Sequence, residues 1–220
     1  GSGDILGLNM TARDLGVEIM GGFIHKEGYS VLNYNIAVLN GSGINVKDNN
    51  KSKDVMARLT VKPMKELAIA GYYQWGEANL SGFSADKYAE YGWTGNPNYV
   101  TSHRWGAGLD YNTKCCFVRT EYIGGITGHT RSESAYVSGG YKFYAPKMPG
   151  HGWVGAMVDY FTLDATKAKS NSDLRYVLCV GYQPVKYARI QLAYSLEQML
   201  GDGRVFKNNR PFCNTVKVLV

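Results

Sequence analysis

Apolar and polar residues alternate with a period of two along most of this chain, in stretches of about ten to fourteen residues. The clearest stretches are residues 53–62, 103–111, 134–145 and 187–196. Successive side chains of a strand point to opposite faces, so each stretch has one apolar and one polar face. A strand in a soluble domain is mostly about five or six residues long, whereas a tilted strand needs about nine to eleven to cross a bilayer. The pattern therefore predicts about eleven long strands between Gly16 and Val220.

The links between these predicted strands alternate between short and long. The short links are Lys26-Glu27-Gly28, Met64-Lys65, Asn112-Thr113 and Pro184-Val185, and the longer polar links cover residues 41–52, 78–101, 128–132, 164–172 and 201–211. In outer-membrane barrels, tight turns face the periplasm and long loops face outward. The alternation predicts an all-β fold, an antiparallel transmembrane β-barrel of the porin type, with about 11–12 strands in residues 1–220 as one domain.

Aromatic residues gather toward the ends of the predicted strands. They are Tyr72, Tyr73, Trp75, Trp105, Tyr111, Tyr141, Phe143, Tyr144, Tyr160 and Phe161. Amphipathic rings at both edges of an apolar band are typical of strands that cross a membrane, because such rings lie at head-group depth. The alternative is a soluble β core rich in tyrosine.

The order of the links also predicts where the chain ends lie. With short turns in the periplasm, the strand that ends at Val220 finishes inside, but the strand count from Gly16 is odd and an antiparallel barrel needs an even one. Residues 5–10 would supply a further strand, or more strands precede Gly1. Residues 1–3 lack the character of a signal peptide, and we interpret them as a cloning remnant or an internal cut.

Charge adds a solute preference to this picture. The formal net charge is +6, and a basic balance suits nucleic acid, anionic lipid or small anions. The polar faces of the predicted strands collect eight basic residues, which are the candidate pore-lining and anion-binding residues Arg58, Lys62, Arg104, Arg119, Lys142, Arg175, Arg189 and Lys217. Four acidic residues are assigned to the same faces, namely Glu18, Asp110, Glu121 and Asp159. A surplus of fixed positive charge concentrates anions. The alternative is that Arg119 pairs with Glu121 and Arg104 with Asp110, which would neutralise the wall.

Other kinds of chemistry find little support in the sequence. The four histidines lie in or beside turns without zinc spacing or a nucleophile–base motif, and no G-x-S-x-G occurs. The four cysteines lack zinc spacing, so we interpret them as packing residues, with Cys179–Cys213 the least implausible disulfide. Residues 48–54 have the composition of a calcium loop but lack its glycine and its terminal glutamate, which favours a solvated loop. We expect no enzyme, no metal, no cofactor and no nucleic-acid partner.

Two neighbouring stretches carry a family resemblance. One is residues 13–23, with Arg13-Asp14-Leu15-Gly16; the other runs from residue 34 to 59, through Asn40-Gly41-Ser42-Gly43-Ile44-Asn45, Asp48-Asn49-Asn50 and Lys53-Asp54 to Arg58. Together they resemble the phosphate-selective porin O and P family, in the version common among Bacteroidetes. There an R-D-x-G strand precedes a strand ending N-G-x-G-x-N, a D-N-N loop and a K-D-x-x-x-R strand. The match covers residues 13–63, and the rest of the chain agrees in strand pattern.

The resemblance implies a homotrimeric outer-membrane barrel of about sixteen strands with a basic lumen that passes phosphate or other anions. Of the candidate site residues, only Arg58 falls within the matching motif. The chain is short for sixteen strands, and Val220 is not the terminal aromatic residue typical of outer-membrane strands, so we expect a carboxy-terminal portion or a shortened member.

The sequence as a whole predicts a porin in the outer membrane of a Gram-negative cell, in contact with outer-membrane lipid. It would let small solutes diffuse passively, with a preference for anions such as phosphate. The alternative is a non-conducting outer-membrane or surface β domain that binds a glycan or protein partner through its long loops. Residues 78–101 would carry that role, through Tyr88, Tyr91, Trp93, Asn96 and Asn98.

Overall fold

A computed structural model describes residues 15–41, 52–80, 98–166, 172–201, 205–206 and 209–219. These residues form eleven strands in one sheet, and each strand pairs antiparallel with the next along the chain. The strands are β1 (Gly16–Lys26), β2 (Tyr29–Leu39), β3 (Asp54–Met64), β4 (Leu67–Asn79), β5 (Tyr99–Asn112), β6 (Cys116–Thr127), β7 (Thr130–Phe143), β8 (His151–Thr162), β9 (Ser172–Val185), β10 (Ala188–Leu200) and β11 (Phe212–Leu219). The all-β antiparallel prediction is confirmed. None of the described residues belongs to a helix long and apolar enough to cross a membrane.

A continuous register assigns each residue to one of the two faces of the sheet. Residues that oppose each other in an antiparallel pair lie on the same face. One such row passes across six strands, through Asn33, Thr60, Ala70, Gly108, Glu121 and Tyr136. We call the face that holds this row the polar face and the opposite one the apolar face.

The apolar face carries large aliphatic and aromatic side chains on every strand, and they are exposed. Typical members are Ile19, Val38, Leu59, Ile69, Trp75, Val118, Val137, Val158, Leu178, Leu192 and Val216. Among the described residues only Ala37, Ala78, Leu80 and Trp153 are buried and hydrophobic. The apolar surface of the sheet therefore points away from the polar face, and the sheet has almost no internal core.

The polar face is concave. Side chains from six consecutive strands, β2 to β7, line one cavity of about 500 Å³ on this face, which requires the sheet to curve around it. In the described part of the chain β1 pairs only with β2, and β11 only with β10. Within the described residues, β1 and β11 are therefore the two outer strands of the sheet.

The links between strands largely follow the predicted alternation. Short turns occupy residues 27–28, 65–66, 113–115 and 186–187, and long links cover 40–53, 80–98, 163–171 and 201–211. The last of these short turns follows Val185, not Gln183, because the ladder with β10 extends to Val185. A further link on the short-turn side, residues 144–150, is longer than its neighbours.

One predicted long link is wrong. Residues 128–132 were expected to form a loop because they are polar, but Thr127 pairs with Thr130 and leaves only a two-residue turn at Gly128 and His129. Gly128 takes a φ of +61°, which glycine adopts at low cost. Ser132 lies on the polar face of β7. A polar residue on that face is part of the strand pattern and does not indicate a loop.

Candidate solute-binding site

All eight basic residues predicted to line a pore lie on the polar face. The register places Arg58 opposite Tyr72, Arg104 opposite Gln74, Arg119 opposite Asp110, Lys142 opposite Trp153, Arg175 opposite Asp159 and Lys217 opposite Ala193. Lys62 follows Thr60, and Arg189 precedes Gln191, in the same alternation. The strand geometry therefore collects these cations on one concave surface.

The polar face carries more carboxylates than the sequence pattern predicts. Besides Glu18, Asp110, Glu121 and Asp159, it holds Asp54 opposite Leu39, Asp173 opposite Phe161 and Glu197 opposite Arg175. The predicted surplus of eight basic residues over four acidic ones is therefore too large. Asp54, the first residue of β3, was missed although it lies in the alternating stretch 53–62, because residues 48–54 were interpreted as a solvated loop.

The cavity brings together three of the eight predicted residues, Arg58, Lys62 and Arg119. Asp110 and Glu121 line the same cavity. Arg119 Nη2 lies 2.5 Å from Asp110 Oδ2, so this guanidinium is already neutralised. The predicted pairs Arg119 with Glu121 and Arg104 with Asp110 are wrong for a geometric reason: Asp110 lies directly opposite Arg119 across β5 and β6.

Arg58 and Lys62 are the cavity cations that remain available to a solute. Neither makes a hydrogen bond or an ion pair with any residue that the structure describes. They are four residues apart on the same face of β3, which corresponds to about 13 Å along a strand. A guanidinium and an ammonium at this spacing can engage an anion in turn as it moves along the strand.

Two of the other predicted residues, Arg104 beside the cavity and Arg175 on β9, are partly compensated. Arg104 is half-buried next to Gln74, whose amide is bound to Asp54. Arg175 lies farther round the sheet, with its Nε 3.0 Å from Glu197 Oε1. Because both are partly compensated, Arg104 and Arg175 add less positive charge to the polar face than two unpaired cations would.

The remaining three lie outside the cavity, toward the short-turn ends of their strands or near the β11 edge. Lys142 Nζ donates to Asn112 Oδ1 at 2.7 Å and to the Thr113 carbonyl at 3.2 Å. Arg189 stacks over the ring of Trp153 at 4.5 Å and donates to Gln191. Lys217 is exposed on β11.

Two aromatic residues assigned to the membrane interface belong to the polar face instead. Tyr72 opposes Arg58 and lines the cavity, and Phe161 opposes Asp173. The ring of Tyr72 lies over Gly106, where a Cβ would overlap the ring, so the glycine makes room for it. Along β4, every second residue lies on the same face, so Tyr72 shares a face with Ala70 and Gln74. This alternation already indicated that Tyr72 belongs to the polar face.

The other strand aromatics assigned to the interface lie on the apolar face at several depths. Trp75 and Tyr160 lie near the long-link ends of their strands, and Tyr111, Tyr141 and Phe143 lie near the short-turn ends. Tyr73 and Trp105 lie at the middle of β4 and β5, so the prediction that the aromatics gather at strand ends holds for only part of the set. The Tyr73 hydroxyl and His103 Nδ1 form a hydrogen bond 2.5 Å long. The bond gives each of these two polar groups a partner on the apolar face.

The four cysteines are free. Cys179 lies on β9 and Cys213 on β11, with β10 between them, so the disulfide considered from the sequence is wrong. Within the described ranges, no group of three or more His, Cys, Asp or Glu side chains is arranged to hold a metal ion.

The loop that was considered for partner recognition lies mostly outside the described residues. Tyr88, Tyr91, Trp93 and Asn96 belong to that part. Asn98, at its end, accepts a hydrogen bond from the Leu80 amide at 2.7 Å through its carbonyl oxygen, and this bond joins the two ends of the link.

No family model, curated protein or solved structure matches this chain. The resemblance to phosphate-selective porins therefore stays a prediction.

Proposed function

We propose that this protein is an outer-membrane porin through which small solutes diffuse passively, with a preference for anions such as phosphate. The observation that carries the proposal is the exposed apolar face, which extends over all eleven strands opposite a charged, concave face. Soluble monomers rarely expose a contiguous apolar patch larger than a few hundred Å². In a bilayer the same surface is in contact with lipid, and the charged face would enclose water.

The strand lengths support a membrane location. Strands β1 to β10 have 11 to 14 residues, and a tilted strand needs about nine to eleven to cross the hydrocarbon. The apolar-face aromatics at the strand ends, Trp75 and Tyr160 at one end and Tyr111, Tyr141 and Phe143 at the other, would lie at the interfaces. A closed barrel is part of the proposal, because unpaired strand edges are not tolerated in hydrocarbon.

The anion preference is supported by Arg58 and Lys62, two cavity cations outside any described ion pair, which outnumber the one cavity carboxylate outside the Arg119–Asp110 pair, Glu121. Arg119 adds little because Asp110 neutralises it. We therefore propose a modest preference for anions that rests mainly on β3. Membership of the phosphate-selective porin family, with a trimer of barrels, belongs to the same proposal.

The test is single-channel recording in a planar bilayer under a KCl gradient. We expect stepwise conductance and a reversal potential of the sign that indicates anion selectivity. A protein that inserts without conducting, or that selects cations, would contradict the proposal. Co-flotation with lipid vesicles on a density gradient checks insertion independently of conductance.

A further inference from the structure

The side chain of Asp54, the first residue of β3, binds two groups of β4 at the long-link end of the polar face. It is 8% exposed. Gln74 Nε2 donates to its Oδ2 at 2.8 Å, and the Glu77 amide donates to its Oδ1 at 3.3 Å. The pairing of β3 with β4 ends with Val55 opposite Trp75, so the Asp54 carboxylate supplies an acceptor for an amide beyond that ladder. Hydrogen bonds to a buried charged acceptor are stronger than neutral ones.

Two glycines make the space that this carboxylate occupies. A Cβ on Gly76 would overlap Asp54 Oδ1, and a Cβ on Gly41 would lie 2.8 Å from the same atom. Gly41 lies at the start of the 40–53 link, and Gly76 lies in β4 just before the 80–98 link. In the 40–53 link, Lys53 Nζ donates to Asn40 Oδ1 at 2.7 Å. The Asp54 carboxylate thus contacts residues at the start of the 40–53 link and just before the 80–98 link, which we call the roots of these two links.

The same carboxylate acts on one of the predicted pore-lining cations. Gln74, which is bound to Asp54, lies directly opposite Arg104. Arg104 makes no ion pair with a described residue, but Gln74 lies between it and the Asp54 carboxylate, so the two opposite charges are close enough to attract each other. The Asp54 charge therefore offsets the Arg104 charge just above the cavity.

We infer that Asp54 is a positioning and selectivity-determining residue: it anchors the roots of the 40–53 and 80–98 links and offsets the charge of Arg104. The selectivity part rests on the proposed function. The anchoring part concerns described groups alone and can be tested without a conducting pore.

The anchoring is tested by hydrogen–deuterium exchange of the Glu77 amide in the refolded full chain. Asp54→Ala removes the acceptor, and Gly76→Ala displaces the carboxylate without changing any charge. Both should speed exchange at Glu77 about tenfold, the factor that corresponds to loss of one hydrogen bond. Gly71→Ala is the matched control, because Gly71 is in the same strand but its added Cβ would meet only the Gly106 carbonyl, at 3.7 Å. Equal exchange at Glu77 in Gly76→Ala, Asp54→Ala and the parent protein would overturn the anchoring.

The selectivity is tested by reversal potentials of Asp54→Asn, Arg104→Gln and the double variant. Removing the Asp54 charge should raise the anion-to-cation permeability ratio by roughly twofold, because the Arg104 charge is then uncompensated. In the Arg104→Gln background, Asp54→Asn should change the ratio much less. If Asp54→Asn changes the permeability ratio equally with and without Arg104, Asp54 does not act through Arg104. If the parent protein conducts but Asp54→Asn leaves its permeability ratio unchanged, the selectivity role is overturned as well. A parent protein that carries no current rejects the proposed pore and with it the selectivity role, while the exchange experiment decides the anchoring by itself.

Discussion

At the scale of single residues, pairing decides which basic side chains can act on a solute. Arg119 and Arg175 lie in ion pairs with Asp110 and Glu197. An exposed pair of this kind contributes only about 0–1 kcal/mol to stability, but it cancels the local field. Arg58 shares the cavity with Arg119 and makes no ion pair with any described residue. Arg58 and Arg119 therefore line the same cavity but differ in how strongly each can attract an anion.

This difference predicts unequal effects of substitution on selectivity. Arg58→Gln combined with Lys62→Gln should move the reversal potential toward cations, because Glu121 then outweighs the cavity cations that remain outside the Arg119–Asp110 pair. Arg119→Gln combined with Asp110→Asn removes a neutral pair and should leave the reversal potential nearly unchanged. Recordings of both double variants at the same KCl gradient check the prediction. It would be contradicted by equal shifts, or by a larger shift in the control.

At the scale of the strand, the two faces place neighbouring residues in opposite environments. In β9, Leu178 is 61% exposed on the apolar face, and Val177 beside it is half-buried on the polar face. Both are aliphatic and lie near the middle of the strand. The strand pattern made this distinction predictable, because side-chain direction alternates with every residue of an extended backbone. Local irregularities were less predictable: the turn at Gly128 and His129 depends on a pairing with Thr130 that polarity obscured.

The strand geometry predicts that an arginine is tolerated on only one side of β9. Leu178→Arg should cost about 2–4 kcal/mol, as expected for a basic side chain that faces lipid at mid-bilayer, and should reduce folding into vesicles. Val177→Arg faces the aqueous side and should fold with nearly parental yield. Heat-modifiable mobility in gel electrophoresis measures the folded fraction. Equal yields for the two variants would contradict a lipid-facing role for the Leu178 side.

At the scale of the whole molecule, the sheet separates its links into two sets. Long links and short turns lie at opposite ends of the strands, except for the short turn at Gly128 and His129 on the long-link side. In an outer-membrane barrel the long-link end faces the outside of the cell. Cys115 is exposed at a short turn, and Thr166 is exposed in the 163–171 link. These two positions report on opposite ends of the sheet.

The proposed orientation predicts which end a bulky reagent reaches in intact cells. In a background where Cys116, Cys179 and Cys213 are replaced by Ser, a polyethylene-glycol maleimide too large for a porin should label Thr166→Cys from outside. In the Thr166→Cys protein, Cys115 is also replaced by Ser, so that each protein carries one cysteine. Cys115 should react with the reagent only after the outer membrane is broken. The gel shift of the labelled protein is the measurement. Labelling of Cys115 but not of Thr166→Cys in intact cells would invert the orientation, and equal labelling of both would argue against a membrane-spanning sheet.

The sequence by itself determined the antiparallel strands and the face on which each basic residue lies. Both follow from a local rule, the period of two in an extended backbone, which holds whatever the neighbouring strand is. Only the tertiary structure decided that Asp110 neutralises Arg119, that Tyr72 points into the cavity over Gly106, and that Asp54 fits between Gly41 and Gly76. Those relations depend on the register between strands and on the curvature of the sheet. A slip of one residue would move each of these side chains to the opposite face, so residues distant in the chain, not the local pattern, determine which groups meet.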